Sequence, residues 1–137
     1  MLQEPIRFTS GELEDQWDAK VGHGVPLHPK LITLVLDFCH YAYDKHGWLP
    51  ECTSIVRTAE EDKALGGSGV HAAGRGFDIR TRNIPKAVIE DCKSFIDNTW
   101  QYDKMRANMT CCLIKPHGSG PHAHLQVHSH TTKKEPA

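Results

Sequence analysis

The segment "GPHAHLQVH", Gly120 to His128, constrains the fold of this chain more than any other stretch. Polar and apolar residues alternate along it, and a period of two belongs to a β-strand. His122, His124, Gln126 and His128 then share one face, while Ala123, Leu125 and Val127 line the other. The apolar side must cover a hydrophobic core. The imidazole side is left free to bind something.

The other segments supply what such a strand packs against. "HPKLITLVLDFCHYAYDKHG" (28–47) places Leu31, Leu34, Val35, Phe38 and Ala42 at helical spacing, with Pro29 at the start and Gly47 at the stop. "NIPKAVIEDCKSFIDNTW" (83–100) is the clearest helix, with Ile84, Val88, Cys92, Phe95 and Ile96 on one face and Pro85 in its first turn. "ECTSIVRT" (51–58), "GFDIR" (76–80) and "NMTCCLIK" (108–115) read as strands. "AEEDKALGGSG" reads as a polar helical turn followed by a flexible glycine lip. The expected fold is α+β, a small antiparallel sheet with flanking helices. At 137 residues it forms a single domain. Residues 1–25 are expected as a peripheral N-terminal arm, 26–130 as the core and 131–137 as a flexible tail.

A second motif adds a carboxylate. "HAAGRGFDIR" contains H-x-x-G-x-G-x-D, from His71 to Asp78. With Phe77 and Ile79 inward, Asp78 faces the same side of the sheet as His122 and His124. Gly74 and Gly76 let the chain fold His71 back over Asp78. Imidazoles and a carboxylate together suit zinc, bound tetrahedrally by nitrogen and oxygen. Three protein ligands leave a fourth position open for water.

Other chemistries fit less well. The net charge is −1, and no basic cluster accompanies the few aromatics, so nucleic acid is not an expected partner. No apolar run reaches the roughly 20 residues needed to cross a bilayer. Neither an HExxH motif nor a glycine-rich phosphate loop is present. The odd number of cysteines (Cys39, Cys52, Cys92, Cys111, Cys112) lacks C-x-x-C spacing and reads as reduced core residues. His117, His128 and His130 read as surface histidines.

H-x6-D followed by H-x-H resembles the zinc D-Ala-D-Ala carboxypeptidases, the penicillin-insensitive murein endopeptidases and the hedgehog-type domain, a group that includes phage endolysins. The resemblance covers residues 50 to 128. It implies one zinc per chain, held by His71, Asp78 and His124, with His122 as the catalytic histidine. "TSIVRT" resembles the strand that carries a substrate-binding arginine, which implies that Arg57 grips a substrate carboxylate. The chain departs from the pattern at Gly69, where a serine is usual, at Ile55-Val56 before the arginine, and at Pro121, where many relatives carry a glutamate. The last departure points to the H-x-H branch.

The resemblance implies a metallopeptidase acting on peptidoglycan peptides, like the lysis enzymes of phages. The acidic, polar "MLQEPIRFTSGELEDQWD" lacks the order of a signal peptide. The expectation is a monomer made in the cytoplasm and released to the cell wall, in a host periplasm, by another protein. Two other readings stay open: a non-catalytic zinc domain in which all four side chains ligate, and a binding module that keeps the fold.

Overall fold

A computed structural model of the chain describes residues 4–115 and 120–134. Among the described residues it is an α+β protein with four helices and a central five-stranded sheet. In chain order the described elements are β1 (Arg7–Phe8), α1 (Gly11–Ala19), β2 (Val21–Gly22), β3 (Val25–Pro26), α2 (Pro29–His46), β4 (Glu51–Ser54) and α3 (Ala59–Ala64). They continue with β5 (Gly76–Arg80), α4 (Lys86–Thr99), β6 (Trp100–Gln101), β7 (Cys112–Lys115), β8 (His122–Gln126) and β9 (Thr132–Lys133). The main sheet runs β1-β4-β5-β8-β7. It is mixed rather than purely antiparallel, because β1 lies parallel to β4.

Helix α2 forms where the apolar spacing placed it. His28 caps its start by accepting the Lys30 N–H at Nδ1, and Gly47 ends it in the left-handed region at φ 66°. Leu31, Leu34, Val35 and Phe38 are fully buried beneath the sheet residues Phe77, Ile79, Ala123 and Leu125. Each such side chain contributes about 1.5–3 kcal/mol by leaving water. Helix α4 adds Ile89, Cys92 and Ile96, with Tyr41 of α2 stacked on Phe95 at 4.0 Å. All five cysteines are free and buried in this core.

The expected peripheral arm is part of the core. Trp17 of α1 is 1% exposed and meets Phe77 edge-on at 5.5 Å. Arg7 and Phe8 pair with Glu51 and Cys52 and extend the sheet. The arm has weak apolar periodicity because one large indole, rather than a stripe, carries its burial. The expected flexible tail is also partly ordered. Thr131 is fully buried, and β9 pairs with β6; residues 135–137 lie outside the described residues, as does His117. The strands starting at Glu51 and ending at Lys115 are shorter than expected, the first stopping at Ser54 and the second starting at Cys112. No helix among the described residues is long and apolar enough to cross a membrane.

Candidate metal centre

The site is built on the pairing of β5 with β8. Asp78 lies opposite His124, Arg80 opposite His122, and Gly76 opposite Gln126. Cross-strand partners share a face. The alternation that buries Phe77, Ile79, Ala123 and Leu125 in the core therefore turns Asp78, His122, His124 and Gln126 to the other side. His128 does not join this row: β8 stops at Gln126, the Val127 N–H bonds to the Arg75 carbonyl, and the chain turns away.

His71 reaches the site from outside the sheet. Gly74 takes a left-handed φ of 71°, and a Cβ there would collide with the Pro26 carbonyl. Gly76 lies directly beneath the imidazole, where a Cβ would stand 3.1 Å from His71 Nδ1. The two glycines of the motif thus have separate jobs, one bending the chain and one leaving room for the ring.

Each ring nitrogen then has a defined role. His71 Nδ1 is 2.7 Å from the Ile55 carbonyl oxygen. A carbonyl only accepts, so Nδ1 carries a proton, and in the neutral ring Nε2 holds the lone pair. That Nε2 is 3.2 Å from Asp78 Oδ1. Gln126 donates from Nε2 to the Thr110 carbonyl at 2.8 Å, which turns its Oε1 toward His124 Nε2 at 3.2 Å. His124 Nε2 must donate, leaving its Nδ1 lone pair 2.8 Å from Asp78 Oδ1. His122 Nδ1 faces the Gly120 carbonyl at 2.8 Å, so its Nε2 is the free acceptor, 3.8 Å from Asp78 Oδ2.

Three lone pairs converging on one carboxylate repel it unless positive charge lies between them. Either protons or a metal ion can supply that charge. His71, Asp78 and His124 each offer a ligand atom within 4.8 Å of the others, and all three are buried. Burial would raise the Asp78 carboxyl, but with protons on the nitrogens of His124 and His71 that face it, their hydrogen bonds and charge outweigh burial and hold the group well below the usual carboxylate range. Among the described residues no cysteine belongs to a potential ligand group; burial pushes the thiols of Cys92, Cys111 and Cys112 up to about 12 and also raises Cys39 and Cys52.

The expected substrate arginine is already engaged. Arg57 donates from Nε to Ser54 Oγ at 3.0 Å and from its two terminal nitrogens to Asp62 Oδ1 and Asp78 Oδ2, both at 3.2 Å. Its fork holds the carboxylate of Asp78, a member of the potential metal-binding group. Asp62, 3% exposed, also accepts the Gly69 N–H at 2.7 Å, so the glycine lip is tied to the same carboxylate. No motif marked Asp62 in the sequence. Gln126 was visible only as a member of the polar face.

Two cavities meet at this centre. One of about 710 Å³ is lined by the glycine lip, His71, His124 and Gln126, and a second of about 350 Å³ by Thr9, Ser54, Arg80 and Arg82. Both are bordered by Arg57, Asp78 and His122. A second potential ligand group, Asp103, His128 and His130, lies elsewhere. Comparison with protein-family models, curated proteins and solved structures found no match.

Proposed function

We propose that the chain is a zinc metallopeptidase of the hedgehog and DD-peptidase type, hydrolysing an amide bond in peptidoglycan peptides. The single observation that carries the metal reading is the convergence of three tautomer-fixed imidazole lone pairs on Asp78. Such outer hydrogen bonds are what orient metal-ligating histidines. Borderline nitrogen and carboxylate ligands favour zinc. A bound zinc ion would lower the pKa of a water toward ~7 and polarise a substrate carbonyl.

The side chains divide the remaining work. His71, Asp78 and His124 are the ligands. His122 is the most exposed of the three histidines, at 15%, and stands where the two cavities meet. With Nδ1 held by Gly120, its Nε2 can take a proton from the attacking water and pass it to the leaving amine. That position supports catalysis over a closed four-ligand structural site. Arg57 keeps Asp78 in one orientation and offsets part of its charge. Arg82, in the smaller cavity, offers a guanidinium group to a substrate carboxylate, the kind carried by stem peptides, beside Arg80, which already donates to Glu51 Oε1 at 2.9 Å. The larger cavity is of a size that holds a small peptide segment. On this reading the protein works as a monomer at the cell wall, in a host periplasm, after release by another protein.

The test is to incubate the zinc-loaded chain with purified peptidoglycan and identify products by mass spectrometry. Muropeptides cut at one peptide bond, abolished by chelation, are the expected result. Stoichiometric zinc without cleavage would leave a binding module in its place.

A further inference from the structure

We propose that Asp103, His128 and His130 form a second divalent transition-metal site, which staples the C-terminal turn to the segment after α4. None of the three lines either cavity of the Asp78 centre. The group is nonlocal, because Asp103 follows β6 and the histidines lie between β8 and β9.

The scaffold that joins these segments is already rigid. Thr131, fully buried, donates from Oγ1 to the Tyr102 carbonyl at 2.7 Å and accepts the His128 N–H at 2.8 Å. The Thr131 N–H closes the turn onto the His128 carbonyl at 3.0 Å. The His128 ring packs near Tyr102 at 5.8 Å and against His130 at 4.9 Å. The turn thus brings two imidazoles to the carboxylate beside Tyr102.

The carboxylate is held loosely at one oxygen. Asp103 is 3% exposed, and its Oδ1 accepts the Met105 N–H at 3.0 Å. Around Oδ2 stand His130 Nδ1 at 3.5 Å, Arg106 Nε at 3.7 Å and His128 Nδ1 at 3.9 Å. Among the described residues no donor comes nearer. Oδ2 is thus approached by two imidazoles and a guanidinium, none of them at the short distance of a strong charge-assisted hydrogen bond. Bonds of about 2.0–2.2 Å to a tetrahedral ion separate the ligand atoms by roughly 3.4 Å, so small rotations close this ring around a metal.

Binding would displace the His130 N–H now donated to His128 Nδ1 at 3.2 Å. It would also move the exposed Arg106 side chain aside. The nearby positive charges of Arg75 and Arg106 make this the weaker of the two sites. Two imidazoles and one carboxylate favour zinc, cobalt or nickel over magnesium or calcium.

The test is zinc titration of the chelator-treated full chain by calorimetry, compared with His130→Ala. His130 is exposed, so its removal leaves the fold intact. The variant should bind one zinc equivalent fewer than the wild type, whatever the Asp78 centre holds. Zinc should raise the melting temperature less in His130→Ala and in His128→Ala than in the wild type. Equal stoichiometry in wild type and His130→Ala would overturn the proposal.

Discussion

Gln126 holds His124 in one tautomer: its Oε1 lies 3.2 Å from His124 Nε2 while its own amide donates to the Thr110 carbonyl. Removing this acceptor frees the ring to flip and to protonate Nδ1 instead. Gln126→Leu should therefore weaken zinc binding about 10- to 100-fold, the usual scale for such partners. A competition titration against a chromogenic chelator measures it. Unchanged affinity would mean that the tautomer is set elsewhere.

His122 tests whether the centre is open or closed. His122→Ala should keep the zinc held by His71, Asp78 and His124, yet lower kcat by about 10²- to 10⁴-fold. His124→Ala should lose zinc and activity together. A His122→Ala protein whose Asp78 centre is emptied would favour a four-ligand structural site.

Arg57 and Arg82 separate ligand positioning from substrate capture. The sequence resemblance gives the carboxylate to Arg57, whereas the geometry engages Arg57 with Asp62 and Asp78 and Arg80 with Glu51, and places Arg82 on the smaller cavity. Arg82→Ala should reduce kcat/KM about 10-fold for a carboxylate substrate and little for its amide, in line with ~1.5 kcal/mol for a charge-assisted hydrogen bond. Arg57→Lys should affect both substrates alike and loosen zinc. A selective loss with Arg57→Lys would restore it as the anchor.

The N-terminal segment should behave as core. Trp17→Ala removes a side chain 1% exposed and in contact with Phe77, so stability should fall by about 3–5 kcal/mol. Urea denaturation reads this directly. A loss under about 1 kcal/mol would return the segment to the periphery.

Asp91 gives a pH signature remote from the metal. His46, Tyr41 and Lys45 bond its carboxylate and bring it down to about 2 from an ordinary 3.8. A depressed carboxyl stabilises the fold above its unfolded pKa and loses that contribution as pH falls through the folded value. Between pH 4 and pH 2, wild-type stability should drop more steeply than that of Asp91→Asn. Parallel slopes in urea midpoints at both pH values would exclude the Asp91 contribution.

Much of this molecule follows from local pattern. The period of two in "HAHLQ" and "GFDIR" settled which face of the sheet carries Asp78, His122 and His124, because side-chain direction in a strand depends only on parity. The spacing of Leu31, Leu34, Val35 and Phe38 likewise determined the buried face of α2, and His71 with its two glycines announced a return of the chain over the strand. What the tertiary structure alone decided rests on contacts between distant segments. Trp17 reaches Phe77 across the fold, Asp62 catches Arg57, and Thr110 orients Gln126 so that His124 points its lone pair at Asp78. Asp103 meets His128 and His130 beside the pairing of β9 with β6, segments far apart in sequence. A hydrogen bond depends on distances of a few tenths of an ångström, and no periodicity in a linear sequence encodes which remote carbonyl will stand at that distance.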